Sequence, residues 1–128
     1  MSRFKPGFRL SAMDVIVLLV GIVTSIYLYS VYPVASYIIL CVVGHFFLFC
    51  NVVRMSRIPE LVWSVTFIGL VSSYLLVGWL SGLTLAIIIV IITCVLVALE
   101  SKKPSYHGIG WQYINPKLPV WFQQRHEK

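Results

Sequence analysis

The sequence predicts an all-α integral membrane protein. The expected fold is a four-helix bundle of two transmembrane hairpins, N-in/C-in, with a short interfacial C-terminal tail. Three observations carry that reading. The 128 residues are 59% apolar and only 11% charged, whereas a soluble domain carries about 25% charged residues. No Asp, Glu, Lys or Arg occurs in the 39 residues between Asp14 and Arg54, or in the 39 between Glu60 and Glu100. All ten Lys and Arg lie before the first stretch, between the two, or after the second.

Each uncharged stretch is too long to be one span. A helix rises ~1.5 Å per residue, so either stretch would reach roughly 59 Å as a single rod. The hydrocarbon core is ~30 Å thick and a span takes ~20 residues. Two spans joined by a tight turn fit each stretch, and turn signals sit near the middle of both. Tyr32-Pro33 ends a helix because proline lacks an N–H and clashes with the preceding turn. Gly78-Trp79-Leu80-Ser81-Gly82 places two glycines around a polar residue. The helices are expected at about 13–31, 34–53, 60–77 and 83–99. They form a domain over 13–99, preceded by a basic arm over 1–12 and followed by a tail over 100–128. Lipid offers no partner to backbone groups, so spans are helices or a closed barrel. These runs lack the alternation of barrel strands.

Local signals mark the helix starts. Ser11 precedes Asp14 by three residues, the spacing of a capping box with Asp in place of Glu. Arg57-Ile58-Pro59-Glu60 puts a proline and an acid in a first turn. The Asn51-Val52-Val53-Arg54 end of the second helix is polar enough to cap it, and nothing further is read there. The first helix has a basic start, but its apolar run exceeds that of a signal peptide and is expected to stay uncleaved.

Orientation follows from charge. Arg3, Lys5 and Arg9 precede helix 1; Arg54 and Arg57 lie between helices 2 and 3; Lys102, Lys103, Lys117, Arg125 and Lys128 follow helix 4. The hairpin turns carry none, so the positive-inside rule puts the basic side in the cytoplasm. The formal charge of +6 is this topology signal, and it also favours anionic lipid head groups. No nucleic-acid partner is expected, because the tail lacks a clustered Lys/Arg stripe. Tyr27, Tyr29, Tyr32, Tyr37 and Trp79 are expected in the outer aromatic belt and Trp63 near the inner one. Phe4, Phe8 and Leu10 suit an arm lying on the membrane surface.

Helices 1 and 3 resemble each other. Gly21-Ile22-Val23-Thr24-Ser25 matches Gly69-Leu70-Val71-Ser72-Ser73 at an offset of 48 residues. A parallel repeat of two hairpins would produce this, and chance in apolar sequence produces such matches too. Either way, Gly21 with Ser25 and Gly69 with Ser73 are small-xxx-small pairs that let backbones approach closely. Those faces are expected to pack inward or against a second protein. In the tail, Trp111, Tyr113, Trp121 and Phe122 are flanked by Lys and Arg. They suit adhesion to the bundle or lipid, or docking of a partner, since Trp and Tyr are frequent binding anchors.

Chemistry-bearing residues are few. His45 falls near the centre of helix 2, where an ionisable group is a functional candidate by default. A bond to Thr93 or Thr24 would satisfy it structurally; a proton-relay, substrate or haem-ligating role is the alternative. Cys41 lies one turn before His45 on the same face, but no carboxylate or second histidine at that depth completes a ligand set, so no cofactor is expected. His107 and His126 are read as solvated. Cys41, Cys50 and Cys94 all fall in spans, outside any CxxC pair, and read as packing residues. Asp14, Arg54, Arg57 and Glu60 gather at the inner mouth, where ion pairs among them could lock the middle loop to helix 1 or be solvated. Asp14 and Glu60 also suit helix N-termini. The chain resembles the small multidrug resistance transporters in size, in its four helices and in an acid in helix 1. That resemblance implies a proton- and cation-binding role for Asp14. It stops there: Asp14 sits at the mouth rather than at mid-depth, and the rest of that family's motif pattern is missing.

No Ser/His/Asp set, phosphate loop or zinc spacing occurs. The expected function is therefore a non-enzymatic accessory or assembly subunit, or a homo-oligomeric scaffold, of the bacterial inner membrane. A small dimeric proton-coupled transporter or channel using His45 and Asp14 is the first alternative, and a haem-binding or redox subunit using His45 the second.

Overall fold

The computed structural model describes residues 5–127. Arg3 and Phe4 of the basic arm and Lys128 of the tail lie outside them. The described residues form helices and no strand. Four helices are long and apolar enough to cross a membrane. They are α1 (Ala12–Val31), α2 (Pro33–Phe47) continued by a π-helical turn (Leu48–Val52), α3 (Arg57–Leu76) and α4 (Gly82–Ser101). Two short helices follow, α5 (Trp111–Ile114) and α6 (Leu118–His126).

The helix ends have local causes. At the start of α1 the Ser11 hydroxyl accepts from the Asp14 N–H, and the Asp14 carboxylate accepts from the Ser11 N–H, closing a capping box. Tyr32 alone separates α1 from α2, and Pro33 opens α2 in the first turn, where a missing N–H costs nothing. α3 begins at Arg57, earlier than the expected position near 60, because Pro59 is still within the first turn. It ends at Leu76, and Gly78 just beyond it has a left-handed φ of 68° that suits glycine. The Ser81 hydroxyl caps α4 by accepting from the Thr84 N–H. α4 runs on to Ser101, past the expected end near 99.

The chain forms two compact units. One holds the first hairpin up to Arg54 together with His107–Trp111; the other holds Met55–Tyr106 together with the chain from Gln112. In the first, α1 packs on α2 through its smallest side chains. Gly21 is buried, and a Cβ built on it would lie 2.5 Å from a Val43 methyl. One turn on, the buried Ser25 and Ser36 hydroxyls are 2.7 Å apart, and Ser25 is also 3.1 Å from the Ser36 carbonyl. In the second unit, Trp63, Phe67, Leu85 and Ile89 are buried. Trp63 stacks on Phe67 with centroids 4.8 Å apart. Its indole N–H donates to the Thr93 hydroxyl at 3.0 Å, and that hydroxyl donates to the Ile89 carbonyl. Trp63 is 6% exposed, and Thr93 on α4 supplies the acceptor that a buried indole N–H needs.

Candidate functional site

The first unit concentrates its polar chemistry at the open end of the hairpin, where α1 starts and α2 ends. The π-helical turn carries Asn51 there, and Asn51 is 1% exposed. Its amide NH2 donates to the Arg9 carbonyl at 2.6 Å and to Asp14 Oδ2 at 2.8 Å. Both partners are acceptors, so the amide orientation is set by the network. The same Asp14 oxygen accepts from the Ser11 N–H at 2.7 Å and the Ser11 hydroxyl at 2.6 Å. Asn51 Oδ1 is left buried with no hydrogen-bond partner, and a buried polar atom without a partner is uncommon in folded proteins. Sequence reasoning passed over Asn51 as a helix cap. The one available signal was that it is the sole amide side chain in the first uncharged stretch.

The N-terminal arm and a piece of the tail are laced to this end. The Arg9 N–H donates to the Asn51 carbonyl at 3.1 Å, the Gly7 N–H to the His107 carbonyl at 2.7 Å, and the Ile109 N–H to the Val52 carbonyl at 2.8 Å. The Arg54 guanidinium donates to the Lys5 carbonyl. Arg54 has a positive φ of 52°, a backbone state uncommon outside glycine. Burial, with a contribution from the Arg9 charge, lowers the Arg54 guanidinium from its ordinary pKa. Phe8 packs its ring 5.9 Å from Phe47.

The four charges expected at one mouth divide between the units: Asp14 and Arg54 belong to the first, Arg57 and Glu60 to the second. Asp14 and Arg54 do not form an ion pair. The second unit also uses an acid that sequence reasoning treated only as a helix boundary. Glu100 is 5% exposed. It accepts from the Ser56 N–H at 3.0 Å and the Ser56 hydroxyl at 3.2 Å, and it is ion-paired to Lys103. The Lys103 ammonium also donates to Ser56 Oγ at 3.1 Å. This clasp ties the start of α3 to the end of α4. Burial pushes the Tyr106 phenol above its ordinary pKa, and the Glu100 charge adds to it.

His45 lies on α2, half-buried. Its Nδ1 is 2.7 Å from the Cys41 carbonyl and 3.6 Å from Cys41 Sγ, and its ring meets Phe49 edge-on at 5.6 Å. At 2.7 Å from a carbonyl, Nδ1 is the protonated nitrogen. The structure thus brings Cys41 and His45 together. No group of three or more His, Cys, Asp or Glu side chains able to hold a metal occurs among the described residues.

The two small-residue pairs sit in different surroundings. Gly21 and Ser25 are enclosed by α2. Gly69 is exposed, a Cβ built on it would meet nothing within 4 Å, and the Ser73 hydroxyl donates to the Gly69 carbonyl of its own helix. The tail aromatics also divide, with Trp111 in the first unit and Tyr113, Trp121 and Phe122 in the second. Tyr113 is 91% exposed. The Arg125 guanidinium lies 5.2 Å over the Trp121 ring, and Phe122 is 4.3 Å from His126. The tail has buried anchors as well: Tyr106 and Leu118 are almost fully enclosed, and Asn115 donates to the Pro104 and Tyr106 carbonyls. No protein-family model matches this sequence, and no curated protein or solved structure is similar to it.

Proposed function

We propose that this chain is a non-enzymatic multi-pass membrane protein that works by helix packing. It serves as an accessory or assembly subunit, or as a homo-oligomeric scaffold, in a bacterial inner membrane, with both termini cytoplasmic. The observation that carries this reading is the contrast between the two small-residue pairs. Gly21 and Ser25 are used up inside the first hairpin, whereas Gly69 on α3 is open. In lipid there is no hydrophobic force to drive helices together, so close backbone approach at small residues is the main route to association. An uncovered glycine on a spanning helix is a contact surface in search of a second helix. The basic residues, all on one side of the hairpin turns, support the orientation.

The experiment is extraction in a mild detergent followed by native-gel migration and mass spectrometry of the co-migrating band. Migration with defined partners, or as a defined homo-oligomer, is the expected result. Migration as a monomer would overturn the reading.

A second reading, a small dimeric proton-coupled transporter or channel using His45 and Asp14, draws support from Asn51. A carboxylate there is bonded to an amide whose own oxygen is stranded, which leaves room for a proton-dependent rearrangement. Proton-driven flux in proteoliposomes that is lost in Asp14→Asn would support it. Absence of any flux, or flux indifferent to both Asp14→Asn and His45→Ala, would remove it.

A further inference from the structure

The open end of the first hairpin gathers more cations than its single acid can balance. Lys5, Arg9 and Arg54 are brought there by the arm's main-chain bond to Asn51 and by the Arg54 guanidinium on the Lys5 carbonyl. Asp14 is the one acid in this unit, and its Oδ2 is occupied by Ser11 and Asn51. It is not ion-paired to either arginine, whereas Glu100 in the other unit is paired to Lys103. Partial burial, and after it the Arg9 charge, lower Arg54 from its ordinary pKa, and the Arg9 charge also acts on Asp14. A guanidinium drawn partly out of water on a segment bonded to a second cationic segment is stabilised by a further anion. Guanidinium forks match phosphate oxygens in geometry as well as in charge.

We propose that Arg9 and Arg54, with Lys5 beside them, form a binding site for the phosphate of an anionic phospholipid head group. The level of the site argues for lipid over free phosphate. It lies where α1 begins and the π-helical turn ends, which is where a spanning hairpin leaves the hydrocarbon for the head-group layer. The surroundings are built for that layer. Phe8 and Leu10 flank Arg9 and are about half exposed, and the Trp111 indole nitrogen is within 3.9 Å of a Cβ built on Gly7. Exposed apolar side chains alternating with cations, next to an indole, suit an interfacial segment. This inference rests on the reading that the hairpin spans a bilayer.

The test uses the full chain, purified in a neutral detergent and given mixed micelles of phosphatidylcholine and phosphatidylglycerol. Retained lipid is read by native mass spectrometry. Preferential retention of phosphatidylglycerol is expected. Arg9→Gln removes a charge whose side chain makes no hydrogen bond among the described residues, so the fold should persist, and it should weaken retention about fivefold. Arg9→Gln with Arg54→Gln should weaken it about thirtyfold. Lys117→Gln with Arg125→Gln, in the other unit, should leave it unchanged. Equal retention of the two lipids, or equal loss from the two double variants, would overturn the proposal. Displacement of the lipid by millimolar inorganic phosphate alone would overturn the assignment to a head group. The spanning reading is tested separately, by whether an alkaline carbonate wash releases the chain from membranes.

Discussion

Truncating Asn51 tests the densest polar contact in the molecule. Asn51→Ala removes two donated bonds, one of them to a carboxylate, and hydrogen bonds to charged groups are worth about 1.5–3 kcal/mol each. It also removes the stranded Oδ1, which offsets part of the loss. The expected cost is about 2 kcal/mol in reversible unfolding from mixed micelles; a cost indistinguishable from that of a surface substitution would mean the network carries no stability. Trp63→Phe should cost about 1 kcal/mol in the same assay, because it deletes the bond to Thr93 while keeping the stack on Phe67. At this scale the sequence is least legible. Ser11 and Asp14 announce their own bond by a fixed local spacing. Asn51 meets Asp14 across 37 residues of sequence, and nothing local in either residue's surroundings encodes that meeting. Glu100 likewise reads as the edge of a span until Ser56 is placed against it.

The helices themselves were largely readable, because their cause is local: an uncharged run of the right length, proline at one turn and glycine at the other. The π-helical turn at Leu48–Val52 was not; no residue in it marks the widened turn. What the matched pentapeptides do also required coordinates. Sequence can say that Gly21 and Gly69 are small, but the covering residue, Val43, arrives from another helix. The two positions therefore call for opposite responses. Gly21→Ala drives a methyl into Val43 and should cost about 1–3 kcal/mol, the range for overpacking. Gly69→Ala meets nothing, and on the isolated chain it should be neutral or stabilise by about 0.5–1 kcal/mol, as expected when a helix-interior glycine is replaced. Unfolding titrations of both variants read this contrast; equal destabilisation at the two sites would contradict it.

For the molecule as a whole, charge asymmetry predicts where each segment lies. A cysteine placed at Ser81, in the second hairpin turn, should react with a membrane-impermeant maleimide added outside intact cells, in a background where Cys41, Cys50 and Cys94 are serine. A cysteine at Gln112 should react only after permeabilisation. The reverse pattern would invert the topology that the basic residues imply. The four long apolar helices could be read from composition, whereas what they associate with could not. An apolar helix face is the same string of letters whether it meets lipid or another helix.

The most direct test of the packing account compares the native mass of the wild-type chain with that of Gly69→Leu after mild detergent extraction. Unchanged helical content and tryptophan fluorescence would show that the variant is folded. The account predicts that the wild type migrates in a defined assembly and that the leucine, filling the open face of α3, releases it as a monomer. A wild type that is already monomeric, or an assembly indifferent to the leucine, would contradict it.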